Sequence, residues 1–252
     1  MQQLTIKGLE LNTEWYSKST NFTKVEKVLQ NESADLFLLP EMFATGFSME
    51  PEVVSDRNHE TLDFLKKMAT KYGTAVSGTA AVHEGGEFFN RMYFVTPRDT
   101  YSYDKHHLFS YSGEDKVYSK GSSRKIIEYK GFRFLLQVCY DLRFPVFSRN
   151  TDFYDVALYL ANWPVQRIDA WNTLLKARAI ENQSYVIGLN RTGKDGNGLL
   201  YESSSHCFFA DGKEKGSIKD GILSCILDKE TLQEFRSKFR FLSDQDMFHI
   251  TN

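Results

Sequence analysis

An α/β fold is predicted by three features of the chain. Apolar strand-like runs alternate with amphipathic helical stretches along its whole length. The order strand, helix, strand, helix followed by hairpin strands occurs twice, once before about Arg124 and once after it, with no Pro- or Ser-rich linker between. Residues 1–252 are therefore read as a single domain built from two similar half-units. Third, runs such as Asp155-Val156-Ala157-Leu158-Tyr159-Leu160 and Tyr185-Val186-Ile187-Gly188-Leu189 are apolar on both faces and need cover on both sides. Two mixed sheets packed face to face with helices outside satisfy them, and so does one large doubly wound sheet.

Strands are expected at residues 4–11, 35–39, 74–81, 88–96, 100–104, 124–129, 132–138, 155–160, 185–190, 206–210 and 222–227. Helical spacing of apolar side chains marks Phe22, Val25, Val28 and Leu29, then Leu62, Leu65, Ala69 and Tyr72, then Ile168, Trp171, Leu174 and Leu175. Asp56 and Asp169 are helix-start signals and Gly73 a stop. Glu84-Gly85-Gly86-Glu87 reads as a hairpin turn.

Composition narrows the function. The 252 residues are 41% hydrophobic, enough for a large core, yet no run of about 18 apolar residues is present and the N-terminus lacks a leader pattern. A soluble cytoplasmic protein without membrane association is expected. A formal charge of -2 argues against nucleic acid as a partner, and the basic run from Lys120 to Lys125 reads as a solvated loop. Three widely spaced cysteines with no Cys-x-x-Cys pair suggest neither a disulfide framework nor a zinc site.

The chemistry resides at strand ends. Phe132-Arg133-Phe134-Leu135-Leu136-Gln137-Val138 leads into Cys139, and Tyr140-Asp141-Leu142-Arg143-Phe144-Pro145 cannot continue that strand, so a sharp bend presents the thiol. Leu36-Phe37-Leu38-Leu39-Pro40 delivers Glu41, and Tyr101-Ser102-Tyr103-Asp104 delivers Lys105. Singly, each has a bland reading: a buried thiol, a surface acid, a solvated lysine. Cys207 and Cys225, flanked by strand residues, keep that reading as core thiols. Together the three supply a nucleophile, a base and a cation. A thiol of pKa roughly 8.5 is only a few per cent ionised at neutral pH, so a base must take its proton or a cation stabilise the thiolate.

These segments identify a family resemblance. Leu38-Leu39-Pro40-Glu41-Met42-Phe43, Tyr103-Asp104-Lys105-His106-His107-Leu108-Phe109 and Gln137-Val138-Cys139-Tyr140-Asp141-Leu142-Arg143-Phe144-Pro145 closely resemble the three signatures of the nitrilase, or carbon–nitrogen hydrolase, superfamily. The resemblance implies a four-layer α-β-β-α sandwich, a Glu-Lys-Cys triad, no metal, no cofactor and a homodimer paired through helices around the nucleophile. The segment from Pro40 to Met49, Ala161-Asn162-Trp163-Pro164, Arg178-Ala179-Ile180-Glu181-Asn182-Gln183 and the tail Phe241-Leu242-Ser243-Asp244-Gln245-Asp246 look like the bacterial omega-amidase branch. Members of that branch hydrolyse the terminal amide of 2-oxo acids such as 2-oxoglutaramate. The resemblance makes Cys139 the nucleophile, Glu41 the general base, Lys105 and the Tyr140 backbone N–H the oxyanion donors, and Glu114 the group that orients Lys105; an exposed acid is the competing reading of Glu114. Arg143, Asn162, Trp163 and Arg167 are candidates for the pocket wall. A structural ion pair competes equally for Arg143 and is favoured for Arg167.

One departure stands out: where the branch shows Tyr-x-Gly-Asp-Ser, this chain has Tyr201-Glu202-Ser203-Ser204-Ser205. Gly193-Lys194-Asp195-Gly196-Asn197-Gly198 reads as a turn, not a phosphate loop, because it lacks the Gly-Lys-Ser/Thr ending. The rival functions are an amidase for deaminated glutathione or another small amide or nitrile, a thiol protease pairing Cys139 with His106 or His107, and a non-catalytic scaffold.

Overall fold

The fold is described from a computed structural model, in which residues 2–56 and 58–250 are placed. Strand β1 (Gln3–Leu9) buries Leu4, Ile6 and Gly8 in alternation. Helix α1 (Lys18–Asn31), strand β2 (Leu36–Leu38), the single turn α2 (Pro51–Val54) and helix α3 (Glu60–Tyr72) follow. The hairpin of β3 (Ala75–Glu84) and β4 (Glu87–Val95) turns at Gly85 and Gly86, both at positive φ as a tight hairpin turn requires, and β5 (Thr100–Asp104) pairs with β4. The second half contains β6 (Lys125–Tyr129), β7 (Phe132–Val138), α4 (Pro145–Ser148), β8 (Val156–Leu160), α5 (Ile168–Asn182) and β9 (Tyr185–Leu189). A two-stranded ribbon of β10 (Gly193–Lys194) and β11 (Leu200–Tyr201) precedes β12 (His206–Phe208), β13 (Ser217–Lys219), β14 (Ile222–Asp228) and α6 (Lys229–Lys238).

Two sheets form, in the orders β13-β14-β1-β2-β3-β4-β5 and β12-β9-β8-β7-β6. Each has three adjacent parallel strands, β1-β2-β3 and β7-β8-β9, flanked by antiparallel ones. Between the sheets lies one apolar layer that includes Leu4, Ile6, Leu38 and Phe94 from the first and Phe134, Leu136, Leu158 and Ile187 from the second. Each such fully buried side chain contributes roughly 1.5–3 kcal/mol. On the outer faces, Phe37 and Val76 pack with Val25, Leu29, Leu65 and Met68 of α1 and α3, while Leu135, Ala157 and Val186 pack with Trp171, Leu175 and Ala179 of α5. The fold is thus the four-layer α-β-β-α sandwich, and the single doubly wound sheet is excluded.

Some local readings shift. Helix α3 starts at Glu60, later than Asp56 signals, yet the Asp56 carboxylate still accepts hydrogen bonds from Thr61 N (2.7 Å) and Thr61 Oγ1 (2.9 Å). Asp169 is an acid in the first turn of α5. Gly73 closes α3 in the left-handed conformation, with φ 63°. The hairpin β13–β14 crosses to the first sheet, where β14 pairs antiparallel with β1, so the two halves are unequal. No helix among the described residues is long and apolar enough to cross a membrane.

Candidate active site

The ends of β2 and β5 in the first sheet and of β7 in the second deliver the three reactive side chains. Cys139 leaves β7 at φ 43°, a left-handed conformation uncommon for a residue with a Cβ, and opens a 3₁₀ turn through Arg143. Met42, next to Glu41, also has φ 43°, with its N–H held by Thr79 Oγ1 at 2.8 Å. Both segments turn sharply off their strands, and Cys139, packed against the edges of two core clusters, is presented to the cavity that it lines.

Glu41 and Lys105 are each 1% exposed and Glu114 is fully buried. Lys105 Nζ donates to Glu41 Oε1 (3.0 Å) and to Glu114 Oε2 (2.8 Å) and Oε1 (3.1 Å). Burial alone would lower the Lys105 pKa, but the charges of Glu114 and Glu41 reverse that and raise it. The ammonium is permanently charged at neutral pH. Glu114 also accepts Phe109 N at 2.6 Å, and burial raises its carboxyl pKa against the opposing pull of Lys105. It is not the exposed acid that its loop suggests.

The Cys139 thiol is pushed well up, by burial first and then by the Glu41 charge, with Lys105 opposing. It therefore rests as a neutral thiol, and forming the nucleophile requires a base beside it. Cys139 Sγ lies 3.8 Å from Asn162 O, while Asn162 N donates to Glu41 Oε2 at 2.9 Å and Asn162 Nδ2 to Glu41 O at 2.7 Å. The strand-end segment after β8 thus ties the acid to the thiol. Asn162 Oδ1 is buried and has no partner among the described residues.

Several residues that hold this arrangement carry no local sequence signal. Asn90 on β4 donates from Nδ2 to both Glu41 Oε1 (2.8 Å) and Glu114 Oε1 (3.0 Å), bridging the two carboxylates. Asp141 fastens the Cys139 bend: Oδ2 accepts Val138 N and Tyr103 OH, and Oδ1 accepts His107 N. Asn190 grips the Trp163 backbone from both sides, accepting its N–H at 2.8 Å and donating to its carbonyl at 2.7 Å. Ser204 Oγ accepts the second Asn190 Nδ2 hydrogen at 3.0 Å, and buried Glu10 accepts Ser203 Oγ, Ser204 N and Ser205 N. Glu10 supplies the acid that orders the Ser203-Ser204-Ser205 loop.

The cavity over Cys139 occupies about 630 Å³ including its mouth, and its walls include Phe47, Phe109, Tyr140, Trp163 and Tyr201. Arg143 lies over the Trp163 ring and Arg167 over the Phe109 ring, both with Cζ 5.1 Å from the centroid. Neither guanidinium has an acidic partner among the described residues, so the structural ion pair favoured for Arg167 is not formed; each is held by aromatic stacking instead. The glycine-rich segment is a turn, as expected, and its Asp195 and Asn197 line the cavity. His107 Nδ1 is bound to Asp141 and His106 Nδ1 to Gly121 O, and neither ring lines the Cys139 cavity. A thiol–imidazole pair is not assembled. Among the described residues no cluster of three His, Cys, Asp or Glu side chains could hold a metal ion.

Residues 2–218 match the carbon-nitrogen hydrolase family. An omega-amidase of Yersinia enterocolitica, YafV, is 40% identical over 98% of this chain and 99% of its own. A 2-oxoglutaramate amidase of Bacillus subtilis (strain 168) is 32% identical over 85% of this chain and 89% of its own. Among solved structures, the CN-hydrolase superfamily protein XC1258 from Xanthomonas campestris, which carries an arsenic adduct in its active site, aligns with a TM-score of 0.96 and 35% identity over 100% of both chains. The chain belongs to the carbon–nitrogen hydrolase family, in its omega-amidase-like branch.

Proposed function

We propose that this carbon–nitrogen hydrolase cleaves the terminal carboxamide of small 2-oxo acids, 2-oxoglutaramate and 2-oxosuccinamate, to ammonia and the 2-oxo dicarboxylate. The observation that carries the reading is a neutral thiol gathered with a carboxylate and a permanent ammonium at the floor of a cavity whose wall holds an acid-free Arg143. The similarity to proteins named omega-amidase and 2-oxoglutaramate amidase supports the substrate class.

In this mechanism Glu41 takes the Cys139 proton as Sγ bonds to the amide carbon. The carbonyl electron pair moves onto oxygen, where Lys105 Nζ and the Tyr140 backbone N–H stabilise it; losing one such donor typically costs about 10²–10³ in rate. Collapse breaks the C–N bond, the proton held by Glu41 passes to nitrogen, and ammonia departs from a thioester. Glu41 then deprotonates a water that attacks the thioester carbon, and breaking the C–S bond regenerates the thiol. Glu114 positions Lys105 through its two contacts. The unpartnered Asn162 Oδ1 is an acceptor suited to the substrate amide N–H, Trp163 walls the acyl chain, and Arg143 takes the carboxylate.

Steady-state assays should show 2-oxoglutaramate turned over with higher kcat/KM than deaminated glutathione, with free glutamine far slower. Faster cleavage of the glutathione-derived amide would transfer the assignment to that substrate.

The reading extends to a cytoplasmic homodimer. Exposed Val146 on α4 shares a surface cleft with exposed Phe241, Ile180 on α5 is also exposed, and the three cysteines are free, which suits a reducing compartment. Sedimentation should give about twice the 29.1 kDa of one chain, in the cytoplasmic fraction; a monomer at micromolar concentration or recovery from a secreted fraction would contradict it.

A further inference from the structure

Charge is distributed unevenly along the cavity. Its inner end is lined by Cys139 and the buried ammonium of Lys105, whose carboxylate partners Glu41 and Glu114 lie outside the lining and are almost completely buried. Farther out, Arg143 is exposed and Arg167 half-buried, so the outer wall carries two guanidiniums. They come from separate segments, Arg143 from the 3₁₀ turn after Cys139 and Arg167 from the 3₁₀ turn that leads into α5. Each planar head is set by the aromatic ring beneath it, and neither is neutralised by an acid among the described residues.

The acid of the cavity wall, Asp195, is already engaged. Its Oδ1 accepts Asn197 N and Leu199 N at 2.9 Å each, and its Oδ2 accepts Tyr201 OH at 2.9 Å. A substrate ammonium entering the outer cavity would therefore meet two cations and no free carboxylate. A carboxylate would meet two unpaired forks.

We propose that Arg167 is a specificity-determining residue that acts with Arg143 as a two-guanidinium selector. It holds the carboxylate of the substrate at the outer wall, directs the neutral amide inward to Cys139, and rejects molecules bearing an α-ammonium. This deepens the 2-oxo acid reading and rests on it: removing the α-ammonium of an amino acid amide, leaving an oxo group, converts a rejected zwitterion into an accepted anion.

The test uses three amides of similar length that differ in charge: succinamate, butyramide and 4-aminobutyramide. Wild-type kcat/KM should fall in that order. In Arg167→Met the ratio of kcat/KM for succinamate over butyramide should drop about 10- to 100-fold, mostly through KM, the loss expected for one charged hydrogen-bond pair. Arg167→Lys should retain part of the preference, and Arg167→Glu should shift the succinamate-to-4-aminobutyramide ratio further toward the cation. A preference that stays within twofold of wild type in Arg167→Glu, or an equal fall for all three amides in every variant, would overturn the selector. If wild type prefers succinamate but ignores 2-oxoglutaramate, the 2-oxo acid reading fails while the selector stands.

Discussion

Replacing Cys139 by alanine is expected to reduce kcat/KM for 2-oxoglutaramate by about 10⁴-fold or more, since no other group can form the acyl intermediate. Cys207 and Cys225 lie in the apolar layer between the sheets and cannot substitute for it. Alanine keeps the small volume, and the bend itself is held by Asp141 through the backbone of Val138 and the side chain of Tyr103, so the fold should be preserved. Binding of a non-hydrolysed 2-oxo dicarboxylate should survive, because the arginines of the outer wall are untouched. Intact-mass measurement after acid quench should reveal an acyl adduct on wild type and none on the variant. Residual turnover within tenfold of wild type would remove the thiol from the mechanism and restore the scaffold reading or another nucleophile.

The parts of the site legible in the sequence are those where chain direction changes abruptly. Cys139, Glu41 and Lys105 each follow an apolar strand that the next residues cannot extend, and strand ends are where side chains leave the core layers. Glu114 was legible only through family resemblance, because Ser112-Gly113-Glu114-Asp115 has the composition of a solvated loop and its burial depends on Lys105 and Asn90. Asp141 lies inside the signature around Cys139 but its role there has no local signal, and Asn90, Asn190 and Glu10 had no signal at all. Their partners are 49 residues away for Asn90 with Glu41, and 194 for Glu10 with Ser204, and no local periodicity encodes such pairs. Arg167 was misread for a related reason: sequence offers plentiful acids as partners, but stacking on Phe109 depends on two distant turns meeting. At the level of the fold, the two-sheet layering followed from strands apolar on both faces only with the help of resemblance. The crossing of β13–β14 to the first sheet is a pairing choice made by β1, whose free edge accepts β14 from Gln3 to Leu9. Helix α6 was missed although Asp228-Lys229-Glu230-Thr231 carries a capping signal, with Asp228 accepting Thr231 N at 2.8 Å.

Replacing Lys105 by methionine should remove activity and also make stability depend on pH in a diagnostic direction. Loss of the oxyanion donor alone predicts a rate reduction of about 10²–10³, and the loss of the cation beside the attacking sulfur adds to it. The structural effect follows from what remains: Glu41 and Glu114, both buried, bridged by Asn90 and no longer separated by a positive charge. Removing one partner of a buried ionic group costs about 3–5 kcal/mol. Burial already raises the Glu114 carboxyl pKa, the Glu41 charge raises it further, and Lys105 is the principal influence holding it down. Without Lys105 the carboxyl must rise further. A carboxyl raised above its unfolded value binds more protons in the native state, so its favourable contribution is present at pH below the unfolded value, near 4.3, and is lost as pH climbs through the folded value. Urea unfolding of Lys105→Met should therefore show stability falling from mildly acidic to alkaline pH more steeply than wild type. Adding Glu114→Gln removes the second buried charge and should recover most of the neutral-pH loss while leaving the enzyme inactive. A single variant whose stability changes with pH no more than wild type, with nothing regained in the double variant, would mean that the ammonium does not balance this carboxylate pair.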